Sequence, residues 1–398
     1  MGGDGVILFT AFEPSGDRLA APVIRALRAA RTGIEIWALG GPRMQDAGAQ
    51  MIDQTTADAA MLLSAVGRVG EHRRVLRKLR QWMANHPLNA LVPVDSPAAN
   101  WSICKMARRS HPDVQIVHLA APQLWAWGAW RISKLRRLTD HVLCLLPFEP
   151  QWFSTRGVRA TFVGHPLFTN PPEGYPPPAD THRAFDEVDQ PKLGLLPGSR
   201  RQSEVCINWP TMLAVAEQLK QIHPNLQCKV AAADNQAAEL IAQLNKQSGL
   251  GQTIAIETNK VDQVIRWSDV ALIVSGTATL HAVAAGTPMV VVYNTGWWKW
   301  HLLGKWIIRT RTFALPNLVA EATGLGRVVP ELVPHFGQCQ PLILALERLL
   351  REPDLRRYQV TALAQIAQAF DGSDFTALTS GHILEAIDKS KAAFSGPS

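Results

Sequence analysis

Short apolar runs alternate with amphipathic stretches along most of the chain. Val6–Thr10 (VILFT) precedes a loop and a helix-like stretch, Arg18–Ala30, and Ile34–Leu39 leads into GGPRMQDAG. Ala90–Val94 runs into DSPAANWSICKMARRS, and Gln115–Leu119 and His141–Leu145 continue the series. Unbroken apolar runs read as strands buried on both faces, and strands separated by helical segments read as a parallel sheet. The rhythm restarts at Lys192–Leu196 and continues through Gln227–Ala231, Thr253–Glu257, Val270–Val274 and Pro288–Tyr293. Between the two series lies PPEGYPPPADTHRAFDEVDQP, rich in proline and acids and poor in aliphatics, which reads as a linker. The pattern predicts an α/β chain of two Rossmann-like domains whose parallel sheets face a cleft. They span residues 1–170 and 192–371, with a linker at 171–191 and a C-terminal helix within 372–398 packing back on the first domain. Open parallel sheets bind ligands beyond the carboxyl ends of their strands, so the loops there are the places to search.

Composition narrows the class. With 398 residues, 47% of them apolar, the chain can fill two cores. Lys plus Arg (40) exceed Asp plus Glu (33) by 7, which suits an anionic partner as well as it suits solubility. Five scattered cysteines with no CxxC form neither a disulfide framework nor a zinc site and point to a reduced, cytoplasmic chain. The N-terminus has an acid and no basic region before its apolar run, so it reads as a first strand and not a signal peptide. Val270–Trp298 carries no formal charge, yet its Ser, Gly, Thr, His, Pro and Asn residues break it into strand, small-residue helix and strand. A transmembrane span is not expected there.

Five places in the loops could carry chemistry. In EPSGD, Ser15 or Asp17 can cap the following helix, and amides near Gly16 would favour an anion or a sugar hydroxyl, while Pro14 holds Glu13 extended. In LLPGSRRQSE, Gly198 permits close backbone approach, and Ser199 and Arg200 follow a buried strand. The planar fork of Arg200 suits phosphate, and the Walker lysine is absent. SGTATLHAVAAGTP offers the small Gly276 and Ala278 and the hydroxyls of Ser275, Thr277 and Thr279 at a helix N-terminus. Tight helix packing would equally want such small residues. Asp95, at the end of a strand, can take a proton from a hydroxyl or simply cap an Asp-Ser-Pro turn. Finally, Trp297, Trp298, Trp300 and Trp306 alternate with Lys299, Lys305 and Arg309, a mixture suited to a membrane headgroup layer; WAWGAWRISKLRR (Trp125–Arg137) has the same character. No RNP, KH or zinc motif supports nucleic acid as the partner of these surfaces. DxD, HExxH, GxSxG and a GxGxxG after the first strand are all absent, which removes support for a metal-bridged diphosphate, a zinc hydrolase, an α/β-hydrolase and a dinucleotide fold.

Taken in order, EPSGD, GGPRMQDAG, PQLWAW, LLPFE, FVGHPL, LLPGSRRQSE, SGTATL, GTPMVV, PNLVA and VVPEL resemble the lipid-A-disaccharide synthases, inverting glycosyltransferases of the GT-B fold. The likeness runs from about Ile7 to Leu332. The resemblance implies a hexosyltransferase with UDP-2,3-diacylglucosamine as donor, 2,3-diacylglucosamine 1-phosphate as acceptor and a β-1,6-linked disaccharide as product. It implies no cofactor and no metal, and a peripheral position on the cytoplasmic face of the inner membrane. A homo-oligomer is left open. By position, Asp95 matches the family's catalytic Asp, Glu13 the Glu of its first loop, Arg200 its essential Arg, and Asn317 and Glu331 its late Asn and PEL segment. Asp95 or Glu13 would deprotonate the acceptor's 6-hydroxyl, while Arg200 and the SGTAT helix N-terminus would stabilise departing UDP.

Departures from the family pattern also sit in these loops. AGEPSGD is AFEPSGD here, with Phe12 in place of a Gly; Ala98, Ala99 and Ala121 replace larger or polar residues; and PELxQ ends in Pro334. SGTATLE becomes SGTATLH, so His281 stands where a Glu would bind ribose hydroxyls. A neutral imidazole offers one such bond where a carboxylate offers two. These changes leave open a related transferase with altered nucleotide or acceptor, or a paralogue that binds lipid without turnover.

Overall fold

The run VILFT forms β1 (Val6–Thr10), buried along its whole length because it lies at the centre of a parallel sheet with helices on both faces. In this computed structural model the described residues are 4–56, 65–126, 128–175, 190–198, 202–249, 254–294 and 312–394. They divide into two units, Met1–Thr169 with Gly372–Ser398, and Asn170–Asp371.

In the first unit β1 is joined by β2 (Glu35–Gly40), β3 (Gln50–Gln54), β4 (Ala90–Pro93), β5 (Gln115–Leu119), β6 (His141–Cys144) and β7 (Ala160–Phe162), in the order β3-β2-β1-β4-β5-β6-β7. The order reverses direction between β1 and β4, the switch point at which such sheets open a crevice for ligands. The helices are α1 (Pro14–Ala30), α2 (Pro42–Asp46), α3 (Ala65–Asn85), α4 (Pro97–Ser110), α5 (Ile132–Leu138), α6 (Glu149–Ser154) and α7 (Pro166–Thr169). A 3-10 turn, Ala129–Arg131, precedes α5. Ile7, Phe9, Ile24 and Leu27 share one core with Phe375, Ile383 and Ile387 from the last helix of the chain. A bidentate Arg31–Asp388 pair at 2.6 and 2.7 Å clamps that helix from outside.

The second unit holds β8 (Lys192–Leu196), β9 (Gln227–Ala232), β10 (Ala255–Thr258), β11 (Val270–Val274), β12 (Met289–Asn294) and β13 (Glu331–His335), all parallel, in the order β10-β9-β8-β11-β12-β13. Around them lie α8 (Gln202–Ile222), α9 (Asn235–Ser248), α10 (Val261–Trp267), α11 (Ala278–Ala285), α12 (Leu315–Ala322), α13 (Cys339–Arg351) and α14 (Pro353–Gln368); α15 (Phe375–Phe394) returns to the first unit. Two parallel-sheet α/β units of this kind constitute a GT-B type fold.

The uncharged stretch from Val270 is β11, α11 and β12 as far as Asn294, and no described helix is long and apolar enough to cross a membrane. Three strands fall outside the apolar series. β3 (QMIDQ) and β13 (ELVPH) are sheet edges and carry polar residues that a central strand would not, and β7 is only three residues long. The helix expected at Arg18 begins at Pro14, because proline's fixed φ suits the first helical position and Glu13 before it is extended at φ −133°.

Candidate active site

The loops after β1 and β4 meet. These strands are neighbours, and Ser96 Oγ donates to Glu13 Oε1 at 3.2 Å, placing the exposed Glu13 beside the half-buried Asp95. Asp95 and Ser96 both occupy the left-handed region, at φ 50° and 28°, which costs an ordinary residue on the order of 1–3 kcal/mol each. Asn100, buried on the first turns of α4, holds this turn in place. Its Nδ2 donates towards the carbonyls of Val94, Asp95 and Ser96 at 3.2–3.4 Å, and its Oδ1 accepts the Thr10 hydroxyl at 2.7 Å. Beneath lies His118 of β5, fully buried; burial drives its pKa down to about 4 against the pull of the Asp95 backbone, so it adds no cation under the carboxylate. A strained, braced turn presenting a carboxylate at a sheet's switch point is a preorganised site for taking a proton from a hydroxyl. Asn100 and Ser96 were not singled out from the sequence; the buried Asn on a helix starting from a strand end was the available signal.

The rest of EPSGD is committed to the fold. Asp17, 3% exposed, accepts the amides of Gly41 (3.1 Å), Arg43 (3.1 Å) and Met44 (2.9 Å), capping the neighbouring α2 from α1. Gly16 lets α1 close on the sheet, since a Cβ there would come within 2.9 Å of the Ala11 Cβ. Ser15 is half-buried in the first turn of α1. Phe12 is half-buried against the core formed by Leu8, Leu39 and Trp101.

In the second unit, α11 begins where β11 ends. Thr279 donates its hydroxyl to the Gly276 carbonyl at 2.7 Å, and Ser275 to the Phe313 carbonyl at 3.1 Å. Of the three hydroxyls, those two are used within the fold and Thr277 is exposed. Among the described residues nothing lies within 4 Å of a Cβ built on Gly276, and Ala278 follows at the first position of the helix. The Thr279 and Leu280 amides turn back on the Gly276 and Thr277 carbonyls at 3.1 and 3.0 Å, so what this turn offers a phosphate is chiefly the positive end of the helix dipole.

His281, one turn further, belongs to a cluster that the sequence did not reveal. Its Nδ1 lies 2.6 Å from Asp262 Oδ1 of α10, and Tyr175, from the start of the linker, donates its hydroxyl to the same oxygen at 2.5 Å. Burial alone would raise the Asp262 pKa, but His281, Tyr175 and Arg266 outweigh it and hold it below the usual carboxylate range. The Tyr175 phenol is pushed up, by burial first and by Asp262 second. The Asp262 carboxylate occupies Nδ1 of His281, so a ligand hydroxyl would meet the ring at Nε2.

Asn317 and Glu331 form a buried brace. Asn317 donates to the Val329 carbonyl and Glu331 Oε2 and accepts the Val328 and Val329 amides, all at 2.9–3.0 Å, so its capacity is filled. Glu331 Oε1 accepts the Phe313 amide at 2.5 Å, which ties the chain before α12 to β13. Ser199, Arg200, Trp297, Trp298, Lys299, Trp300, Lys305, Trp306 and Arg309 lie outside the described residues. Among the described residues, no group of three or more His, Cys, Asp or Glu side chains could hold a metal.

Solved structures of S. aureus MnaA with UDP (TM-score 0.63, 99% of each chain) and of UDP-GlcNAc 2-epimerase from Neisseria meningitidis bound to UDP-GlcNAc (TM-score 0.61, 96% of this chain and 99% of that one) share the fold at 12% identity. At that identity the likeness speaks for architecture alone. The chain is 33% identical over 364 residues to the lipid-A-disaccharide synthase of Anaeromyxobacter dehalogenans, covering 90% of this chain and 92% of that protein. It is 34% identical over 366 residues to that of Burkholderia vietnamiensis, covering 88% of each. A family model described as lipid-A-disaccharide synthetase matches residues 7–376, and the chain belongs to that family.

Proposed function

We propose that the protein transfers 2,3-diacylglucosamine from UDP to the 6-hydroxyl of 2,3-diacylglucosamine 1-phosphate, with inversion, giving a β-1,6 disaccharide. The observation that carries this reading is the contact between Glu13 and the strained Asp95–Ser96 turn, at the switch point of the first unit of a chain in this family. Asp95, with Glu13 beside it, would take the acceptor proton as the hydroxyl attacks the anomeric carbon. The leaving UDP would be met by the positive end of the α11 dipole and by Arg200. Supplying purified protein with each substrate alone and then with both tests this. UDP release that needs both substrates supports transfer, whereas release from the donor alone would overturn it.

His281 would meet a hydroxyl of the donor nucleotide at Nε2, with Asp262 occupying Nδ1. His281→Ala then raises the donor KM about tenfold with kcat nearly unchanged, as expected for one lost hydrogen bond made equally in ground and transition states. A donor KM within twofold of wild type would remove His281 from the site. The same histidine favours a second reading, a transferase with a different nucleotide sugar. Calorimetry with UDP and other nucleotide sugars separates the two, because equal affinities favour the altered donor.

An acylated acceptor calls for a membrane surface, which we place first on the turn and helix around α5. Gly128–Thr139 carries Arg131, Lys134, Arg136 and Arg137 and no acid. Trp130 is 65% exposed beside Arg131, Lys134 lies 4.1 Å over the Trp101 ring, and Arg156 lies 4.1 Å over Trp152. Trp101 sits on α4, whose first residues follow Asp95, so this strip starts next to the proposed base. By sequence, the Trp297–Arg309 stretch has the same aromatic and basic character. Anionic vesicles are expected to bind in a salt-sensitive way, and Arg136→Ala with Arg137→Ala to weaken binding about tenfold or more. Absence of binding at low salt would contradict the claim.

A further inference from the structure

Glu149 opens α6 in the loop after β6 and is only 2% exposed, a costly place for a carboxyl group without a task. Both oxygens are engaged. Oε1 accepts the Trp125 indole N–H at 3.0 Å, and Oε2 accepts the Leu146 amide at 3.1 Å. Trp125 is half-buried in the loop after β5 and meets Phe148, the residue before Glu149, edge to face at 5.2 Å and 78°. These two loops leave the carboxyl ends of β5 and β6, which follow β4 in the sheet, so the aromatic pair shares a rim with Asp95. Aromatic faces beside a few fixed polar groups are the usual lining for a ligand that is part sugar and part acyl chain.

We propose that Glu149 is a positioning residue: by holding the Trp125 indole and the Leu146 amide together, it sets the Trp125–Phe148 pair as the wall against which the acylated acceptor rests. This rests on the transferase reading above and adds to it the side from which the acceptor is gripped. Burial pushes the Glu149 carboxyl up to about 7, opposed by its bonds to Trp125, Leu146 and Leu145. The titratable group facing it is the Cys144 thiol of β6, itself raised by burial and by the Glu149 charge. Phe153, Val158 and Leu124 pack in the apolar cluster around α6. The ionised carboxylate accepts both N–H groups; the protonated form turns one acceptor into a donor and loosens the wall. The grip on the acceptor therefore weakens as pH falls through about 7.

The test uses the full chain, with Glu149→Gln, which keeps the shape but cannot ionise, and Trp125→Phe, which keeps a ring but loses the N–H. In the wild type the acceptor KM is expected to rise several-fold between pH 8.5 and pH 6, with donor KM flat. Both variants should show an acceptor KM raised about three- to tenfold, independent of pH, and kcat within about twofold of wild type. The Trp125 indole proton resonance, identified by its loss in Trp125→Phe, should move with a midpoint near 7 in the wild type and stay fixed in Glu149→Gln. An acceptor KM in Glu149→Gln that follows the wild-type pH profile, or equal changes in donor and acceptor KM, would overturn the inference. If the wild type transfers no sugar, the transferase reading falls by itself, and an indole resonance that does not titrate still overturns the role of Glu149.

Discussion

Replacing Asp95 by Asn is expected to lower sugar transfer by about 10²–10⁴-fold, the usual worth of a positioned general base, with thermal stability and donor affinity unchanged. Asn is the informative substitution because Asp95 stands at φ 50°, a conformation that Asn tolerates and Ala resists. The braced turn therefore survives, and any loss belongs to the carboxylate. The parallel variant Glu13→Gln divides the labour. Glu13 accepts the Ser96 hydroxyl and sits exposed at the rim, so a positioning or electrostatic part predicts a loss well short of that at Asp95. Equal and complete losses at both would mean that the two carboxylates act as one unit. A transfer rate within a few-fold of wild type in Asp95→Asn would remove the proposed base.

The second large effect concerns stability. Asp17→Ala should lower the unfolding free energy of the first unit by about 3 kcal/mol or more. It leaves the buried amides of Gly41 and Met44 and the partly buried amide of Arg43 without an acceptor, and a buried amide costs about 1–3 kcal/mol when truly orphaned. For a unit of this size that corresponds to a fall in Tm of about 6–12 °C by calorimetry. The catalytic constants of the surviving folded protein should change far less than in Asp95→Asn. A Tm within about 1 °C of wild type would show that the loop after β2 does not depend on this carboxylate.

The contrast between Asp95 and Asp17 shows what a single sequence can and cannot convey. Parallel strands announce themselves because both faces are buried, so β1, β4, β8, β11 and β12 were legible as apolar runs, and the loops at their carboxyl ends followed from them. Glu13 and Asp95 were legible for the same reason, since each follows such a strand. Asp17 sits in the same conspicuous motif as Glu13, yet its partners lie 24 to 27 residues away on a loop whose approach depends on the sheet order. Asn317 and Glu331 are similar. They stand in matching segments, and the fold spends their hydrogen-bonding capacity on each other and on backbone amides. The His281–Asp262–Tyr175 cluster joins three elements distant in sequence, so no local pattern could show that the histidine replacing a family Glu comes with a carboxylate of its own. The edge strands β3, β7 and β13 escaped because a sheet edge needs no continuous apolar run.

Mass analysis of the lipid products formed by the wild-type protein from UDP-2,3-diacylglucosamine and 2,3-diacylglucosamine 1-phosphate tests the central claim most directly. The account predicts a phosphorylated, tetra-acylated disaccharide that accumulates in step with free UDP and disappears in Asp95→Asn. Free UDP without any disaccharide, or disaccharide formed equally well by the Asp95→Asn protein, would contradict it.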